Sequence, residues 1–416
     1  MKKQRVKKAI YCRICKNKKL NKILSLGLSP LANSFLRPNE LKSHEDFFPL
    51  ELNICRHCGL VQLADIVNPK LMFDTYLYVS STSQTFIDHF ERFAQDTSKR
   101  FNLSRNDLII DIGSNDGILL KPFDKLGIRT LGIDPAKNVA RIARKNGIET
   151  ITKYFDRDIA NRIIAKYGKA RLITGINVFA HINNWGELIQ GVKVLLTDDG
   201  IFIIEVPYLL EFIKKNLFDT VYHEHLSYIA VKPLIKFFKQ NGLEIFDVHK
   251  VETHGGSIRI FIKRENAKYK IQKSVFDSLK EEKEAGLTLL RTYKEFSINV
   301  LNNKKRLMKL LNALKKDSKR IIGYGAPAKG NTLLNFFGIN HDLIDYIVDD
   351  SPLKQGLYTP GSHIPITSPN KIKRTKVDYI LILAWNFADS IIKNHDYLKR
   401  KGIKFIIPVP IPKIVN

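Results

Sequence analysis

No uninterrupted apolar run in this 416-residue chain approaches the roughly 20 residues that a membrane-spanning helix needs. The basic start, Met1-Lys2-Lys3-Gln4-Arg5, has no apolar segment behind it, so no signal peptide is read and the expected address is the cytoplasm. Cysteine is scarce, with four in all, every one within the first sixty residues. Neither a G-x-G-x-x-G dinucleotide fingerprint nor a Walker loop is present, and the H-E-x-x-H spacing of a zinc protease is missing. Heptads are not sustained anywhere, which argues against a coiled-coil partner. Acid is also short: 68 Lys and Arg stand against 41 Asp and Glu, a net charge of +27. The lysines are spread along the chain together with abundant Ile and Asn, which reads as compositional bias rather than a nucleic-acid face. Such a surface would still attract a phosphorylated small substrate.

What is present fits a soluble globular chain, with 44% hydrophobic and 26% charged residues. The length is too great for one core, so two or three domains are expected. The cysteines form two knuckles, Cys12-x-x-Cys15 and Cys55-x-x-Cys58. Four thiols paired this way suit a closed tetrahedral zinc site, which holds a fold and leaves no position for chemistry. Two disulfides are the alternative, but nothing marks an oxidising compartment. His44 and His57 are spare ligands, read as bystanders.

The segment Leu108-Ile109-Ile110-Asp111-Ile112-Gly113-Ser114-Asn115-Asp116-Gly117 reads as strand, tight turn and helix start. Gly113 and Gly117 allow positive φ and close approach of a ligand to the backbone. A second strand ends at Asp134, where an acid suits a pair of ribose hydroxyls. Strands at 108–111, 130–134, 171–177 and 200–206, with helices at 138–146 and 188–196 between them, predict a doubly wound α/β domain. The third strand ends in Asn177, with His181 just beyond. A smaller α/β unit starts at Arg320, with the turn Gly323-Tyr324-Gly325-Ala326-Pro327-Ala328-Lys329-Gly330 and strands at 344–348, 377–383 and 404–407. Its glycines and Lys329 make a pyrophosphate cradle, and Trp385-Asn386 close a strand at its ligand-binding end. Between the two units, 276–296 and 307–314 carry helical apolar spacing, separated at Asn302-Asn303.

The segment Tyr222-His223-Glu224-His225-Leu226-Ser227-Tyr228 concentrates imidazole, carboxylate and phenol, the parts of a general acid–base site. Chelation by His-x-His is the rival reading. The segment 71–83, with Tyr76 and Tyr78 among five serines and threonines, either lines a polar site or is a strand before a capped helix. Val251-Glu252-Thr253-His254-Gly255-Gly256-Ser257-Ile258-Arg259 predicts an antiparallel strand pair turning at Gly-Gly. Three functions fit this inventory: an NAD-dependent enzyme, a nucleic-acid methyltransferase with a zinc module, and a small-molecule methyltransferase using S-adenosylmethionine.

The two cysteine knuckles, the Leu26-Gly27-x-x-Pro30-Leu31-Ala32-Asn33 motif, IGSNDG, NVFAHI, YHEHLSY, THGGSIR and GYGAPAKGNTLLN occur in order over nearly the whole chain. Together they resemble the sugar C-methyltransferases of deoxysugar biosynthesis, of the nucleotide-sugar C-3 methyltransferase type. The resemblance implies a zinc-binding domain (1–75), a class I methyltransferase core (76–268), and a helical connector with a C-terminal Rossmann-like domain (269–416). It implies methyl transfer from S-adenosylmethionine to a carbon beside the keto group of a nucleoside-diphosphate sugar, often dTDP-linked, by a monomer using structural zinc. The implied base is His225, flanked by Tyr222 and Glu224, with Tyr76 and His181 lining the site. The chemistry asks Glu224 to fix the His225 ring, and Tyr222, Tyr76 or His181 to steady an enolate. The methyl donor is expected at Asp111, Gly113, Asn115, Gly117, Asp134 and Asn177, and the nucleoside diphosphate at Lys329, Trp385 and Asn386. An activated ketone of another kind, RNA, or a nucleotide-sugar redox reaction are the alternatives.

Overall fold

The computed structural model describes residues 5–73, 81 and 84–416. Tyr76 and most of the hydroxyl-rich segment around it lie outside the described residues.

The N-terminal region is a small antiparallel assembly. Its strands are β1 (Val6–Lys8), β2 (Leu20–Ser29), β3 (Phe48–Cys55), β4 (Val61–Leu63) and β5 (Asp65–Val67), and β3 alternates buried and half-buried residues along most of its length. β2, β3 and β4 pair in sequence, and β1 pairs with β5. The fourth strand of the larger sheet comes from far along the chain. β11 (Ser227–Tyr228), directly after the histidine-rich segment, pairs with β4.

The central sheet has seven strands. β6 (Leu108–Ile112), β7 (Arg129–Ile133), β8 (Thr150–Ile151), β9 (Ala170–Ile176) and β10 (Leu196–Pro207) run parallel. β12 (Leu243–Val251) and β13 (Ser257–Arg264) then form a hairpin that inserts β13, antiparallel, beside β10. Numbered within the sheet, the order is 3-2-1-4-5-7-6. All five residues of β6 are buried because helices cover both faces. The expected strands and helices are all present with ends shifted by a few residues, and the Gly255-Gly256 turn falls where expected.

The connector is two helices, Lys273–Glu284 and Leu290–Lys316. The second runs straight through Asn302-Asn303, and one or two long helices were expected here. Asn303 is buried, and its amide donates to the carbonyls of Pro408 (3.1 Å) and Pro410 (2.7 Å), so it fastens the helix to the chain's last turn. Phe276, expected on the packed face, is 60% exposed. The second α/β unit contains β14 (Ile321–Tyr324), β15 (Ile347–Val348), β16 (Ile366–Thr367), β17 (Tyr379–Ile382), β18 (Lys404–Ile407) and β19 (Lys413–Val415). Its internal order is 3-2-1-4-5-6, parallel but for the last strand, a Rossmann-like arrangement.

The three regions meet around the loop that follows β2. The Asn331 amide, on the helix Ala328–Phe337, donates to the carbonyl of Ala32 at 2.7 Å. Glu45 accepts from the backbone of Gly361 at 2.8 Å and lies 2.9 Å from the His363 ring.

Candidate active site

The glycine turn after β6 is shaped by packing as much as by any ligand. Gly113 has φ +76°, and a Cβ there would lie 2.2 Å from Cγ2 of Val178. Gly117 has φ +82°, and its Cβ would press on Ile148 at 3.0 Å. Both positions therefore exclude side chains because neighbouring strand ends press on the turn, a cause the sequence could not show. Asp134 stitches the turn to the next strand: its carboxylate accepts from the backbone of Asn115 (2.9 Å) and of Ala136 (2.8 Å). Asp111 is wholly buried and accepts from the Thr174 hydroxyl at 2.6 Å; burial pushes its carboxyl up to about 7. Asn115 and Asn177 both take left-handed backbone, φ +50° and +56°. Three buried polar atoms at this mouth have no protein partner among the described residues: Ser114 Oγ, Asp116 Oδ1 and Asn177 Oδ1. Orphaned polar atoms at strand ends are what a polar ligand would satisfy, so the donor set fits S-adenosylmethionine.

The second unit repeats this construction. Gly113 donates its backbone N–H to Ile133 O at 2.7 Å, and Gly325 to Val348 O at 2.7 Å. Asp349 accepts from Ala326 (2.7 Å) and Ser351 (2.8 Å), as Asp134 accepts from Asn115 and Ala136. The sequence reading passed over Asp349, although an acid directly after a short apolar strand was the available signal. Beside this turn Lys329, Trp385 and Asn386 come together as expected. The Lys329 ammonium donates to Asn386 Oδ1 and sits 4.0 Å over the Trp385 ring. Burial lowers Lys329 to about 8, opposed by the charge of Asp219.

The histidine-rich segment parts its side chains. A turn closed by His225 N donating to Tyr222 O (2.9 Å) brings the first and fourth side chains together. The Tyr222 hydroxyl meets His225 Nε2 at 2.8 Å, and Nδ1 of the same ring meets the backbone carbonyl of Thr220 at 2.8 Å. A carbonyl only accepts, so Nδ1 carries a proton, and in the neutral ring Nε2 presents its lone pair to the phenol. The acceptor that orients the ring at Nδ1 is thus Thr220 rather than Glu224. Glu224, third in the turn, is buried, and its Oε1 accepts from the Asn33 amide at 2.6 Å. His181, at the end of a short helical turn after β9, lies beside the His225 ring with centroids 5.2 Å apart. His223 faces elsewhere: it is buried against Phe48, donates Nε2–H to Pro49 O (3.2 Å), and burial lowers it to about 4. His223 and His225 therefore cannot chelate one ion together.

A buried carboxylate that the sequence did not announce closes the mouth. Glu205, on β10 opposite Arg259 of β13, lies 2.9 Å from His89, 2.9 Å from Arg259 Nε and 3.3 Å from the Thr253 hydroxyl. Burial raises its pKa, but the His89 hydrogen bond and the Arg259 charge outweigh that and lower it overall. The cluster ties the helix Gln84–Phe101 to the sheet, next to Asn177, whose backbone N–H donates to Glu205 O at 2.7 Å.

In the N-terminal region the four Sγ atoms lie within 4.8 Å of one another, with Cys12–Cys58 and Cys15–Cys55 both at 3.5 Å, and no two are bonded. A zinc tetrahedron with bonds of about 2.3 Å has edges of about 3.8 Å, so the set fits the metal.

Residues 84–248 match the family model for a methyltransferase domain, residues 252–410 that for the C-methyltransferase C-terminal domain, and residues 12–73 that for the zinc binding domain. Over 405 residues the chain is 38% identical to C-methyltransferase NovU of Streptomyces niveus, covering 97% of this chain and 96% of that protein. This chain belongs to the C-methyltransferase family. Ubiquinone biosynthesis O-methyltransferase of Methylobacterium sp. is 21% identical over 175 residues, 38% of this chain and 68% of that one. An S-adenosylmethionine-dependent methyltransferase structure from Clostridium acetobutylicum covers 43% of this chain and 92% of its own, at TM-score 0.35 and 17% identity. The C-methyltransferase uses S-adenosylmethionine as its methyl donor and carries zinc in its N-terminal domain. Among the described residues no helix is long and apolar enough to cross a membrane.

Proposed function

We propose that this C-methyltransferase methylates a carbon beside the keto group of a nucleoside-diphosphate 4-keto deoxysugar, dTDP-linked, as a cytoplasmic monomer divided at about residues 75 and 268. The observation that carries the reading is His225, partly exposed, with Nδ1 against a backbone carbonyl and Nε2 against a phenol. A carbon acid beside a ketone needs a base over the C–H bond and a donor at the carbonyl oxygen, because the charge that develops spreads onto that oxygen. His225 and Tyr222 supply that pair within one hydrogen bond of each other.

In this scheme the keto oxygen takes the Tyr222 hydroxyl from His225, which frees Nε2 to remove the proton. His181 is the second candidate donor to the enolate oxygen. Tyr76 keeps that role from the sequence reading only. Bound S-adenosylmethionine supplies an electrophilic methyl group, and Asp111, Gly113, Asn115, Gly117, Asp134 and Asn177 would hold it at the mouth of the sheet. Glu224, held by the Asn33 amide, would be a hydrogen-bond acceptor for a sugar hydroxyl. The diphosphate would lie on Lys329 and the glycine turn of the second unit, with Trp385 and Asn386 beside it. The double acid-and-turn construction supports a nucleoside there, since Asp349 repeats the setting of Asp134.

The test is incubation with a panel of nucleotide 4-keto sugars and isotopically labelled methyl donor, with mass spectrometry to locate the label. Label on a ring carbon next to the keto group supports the reading. Label on oxygen, or none with every sugar but turnover on another activated ketone, overturns it.

A further inference from the structure

The short 3-10 turn Phe218–Thr220 is gripped from two sides. Toward the C-terminal unit, the Phe218 ring stacks on Phe337 with centroids 5.3 Å apart and planes 16° from parallel, and also meets Phe336 at 5.8 Å. The next residue, Asp219, has no exposed surface, and its Oδ2 accepts from the Trp385 indole. The Lys329 ammonium lies over that same indole. Its charge partly offsets the burial of the Asp219 carboxylate. Toward the methyltransferase core, the carbonyl of Thr220 accepts Nδ1–H of His225 at 2.8 Å and the Tyr228 hydroxyl at 3.3 Å.

We propose that Asp219 is a positioning residue through which the C-terminal unit fixes the aim and tautomer of His225. Peptide geometry makes this transmission short. The Asp219 side chain is anchored in one domain, and the carbonyl one residue later anchors the imidazole in another. A shift of Asp219 rotates the Thr220 carbonyl, and the ring then loses the acceptor that keeps its proton on Nδ1. Nε2 would carry the proton for part of the time and could not act as a base. A buried carboxylate is costly unless it is paired, and the side chains that pair with this one, the Trp385 indole and the Lys329 ammonium, belong to the C-terminal unit. The inference rests on His225 as the base proposed above.

Asp219→Ala and Asp219→Asn are to be compared with wild type by 15N NMR of the histidine ring nitrogens in the free protein, with His225→Gln used to assign the His225 signal. Turnover and S-adenosylmethionine affinity by calorimetry complete the set. Wild type should show the Nδ1–H tautomer. Asp219→Ala should show a mixture, with kcat lower by about tenfold or more and donor affinity within about twofold of wild type. Asp219→Asn, which keeps an acceptor for the indole, should lie between. If Asp219→Ala fails to fold, Asp219→Asn and Trp385→Phe are read by the same spectrum. An unchanged tautomer, with or without a loss of kcat, overturns the proposal. Absence of turnover by wild type on every keto sugar would sink the functional reading instead, while the tautomer measurement on free protein still decides the role of Asp219.

Discussion

The Nδ1–H of His225 donates to the backbone carbonyl of Thr220 at 2.8 Å, leaving Nε2 for the Tyr222 hydroxyl at the same distance. A backbone acceptor at Nδ1 fixes the tautomer of the neutral ring without adding a charge beside it. His225→Gln is expected to bind both ligands and lose about 10²–10⁴-fold in turnover, the usual contribution of a general base. Tyr222→Phe should also lower kcat, with donor affinity kept. Steady-state kinetics and calorimetry on the two variants check this; near-normal turnover by His225→Gln would assign the proton transfer elsewhere.

Lys329 stands at a domain junction with a pKa lowered to about 8 by burial. Its ammonium form is the one that binds a diphosphate, and that form is lost as pH rises through 8. Affinity for a nucleoside diphosphate should therefore decline above that pH, with proton uptake on binding seen as a buffer-dependent calorimetric enthalpy. Lys329→Ala should weaken binding about 10–100-fold, the range for a charge-assisted hydrogen bond. Unchanged affinity in that variant would place the nucleotide elsewhere.

The zinc site bears on the active site through one loop. β2 leads to Asn33, whose amide holds Glu224 at 2.6 Å. Cys58→Ser should lower folding yield and zinc content together, because a closed four-thiolate site contributes folding energy directly. Asn33→Ala should keep its zinc, by metal analysis, while turnover falls about tenfold through loss of one charge-assisted bond. Purified wild type without zinc would contradict the first expectation, and full activity of Asn33→Ala the second.

His223 gives the protein an acid-sensitive anchor. Burial depresses its folded-state pKa to about 4 against an ordinary 6.5, so the folded state prefers the neutral ring. Its contribution is intact above 6.5 and is lost as pH falls toward 4, amounting to about 3 kcal/mol over that window. Denaturant titrations from pH 7 to 4 should show this loss. His223→Gln, less stable at pH 7, should show a shallower slope; an equal slope would assign the acid sensitivity to another group.

Much of this was legible in the sequence. The strand and helix periods fixed both α/β units, and the cysteine spacing foretold a cluster that the fold closes. The motif Tyr222–His225 did contain the imidazole and phenol that the fold brings into contact. What could not be read was direction. Nothing in Tyr-His-Glu-His says that a turn brings the first and fourth side chains together, sends Glu224 to Asn33, and leaves His223 against Phe48. The partners Thr220, Asn33 and Asp219 were missed for a related reason. Thr220 acts through its backbone, while Asn33 and Asp219 make their contacts across domain boundaries, where no local period records them. The glycines of the first turn were assigned to ligand approach, whereas Val178 and Ile148 already require them.

The central claim is that His225 removes a proton from carbon, and exchange without methyl transfer tests it most directly. A nucleotide 4-keto sugar is held in D2O with enzyme but no methyl donor, and deuterium at the carbon beside the ketone is followed by NMR. The account predicts enzyme-dependent exchange at the carbon that the complete reaction methylates, abolished in His225→Gln. Methyl transfer to that sugar with no exchange in wild type, or exchange undiminished in His225→Gln, would contradict it.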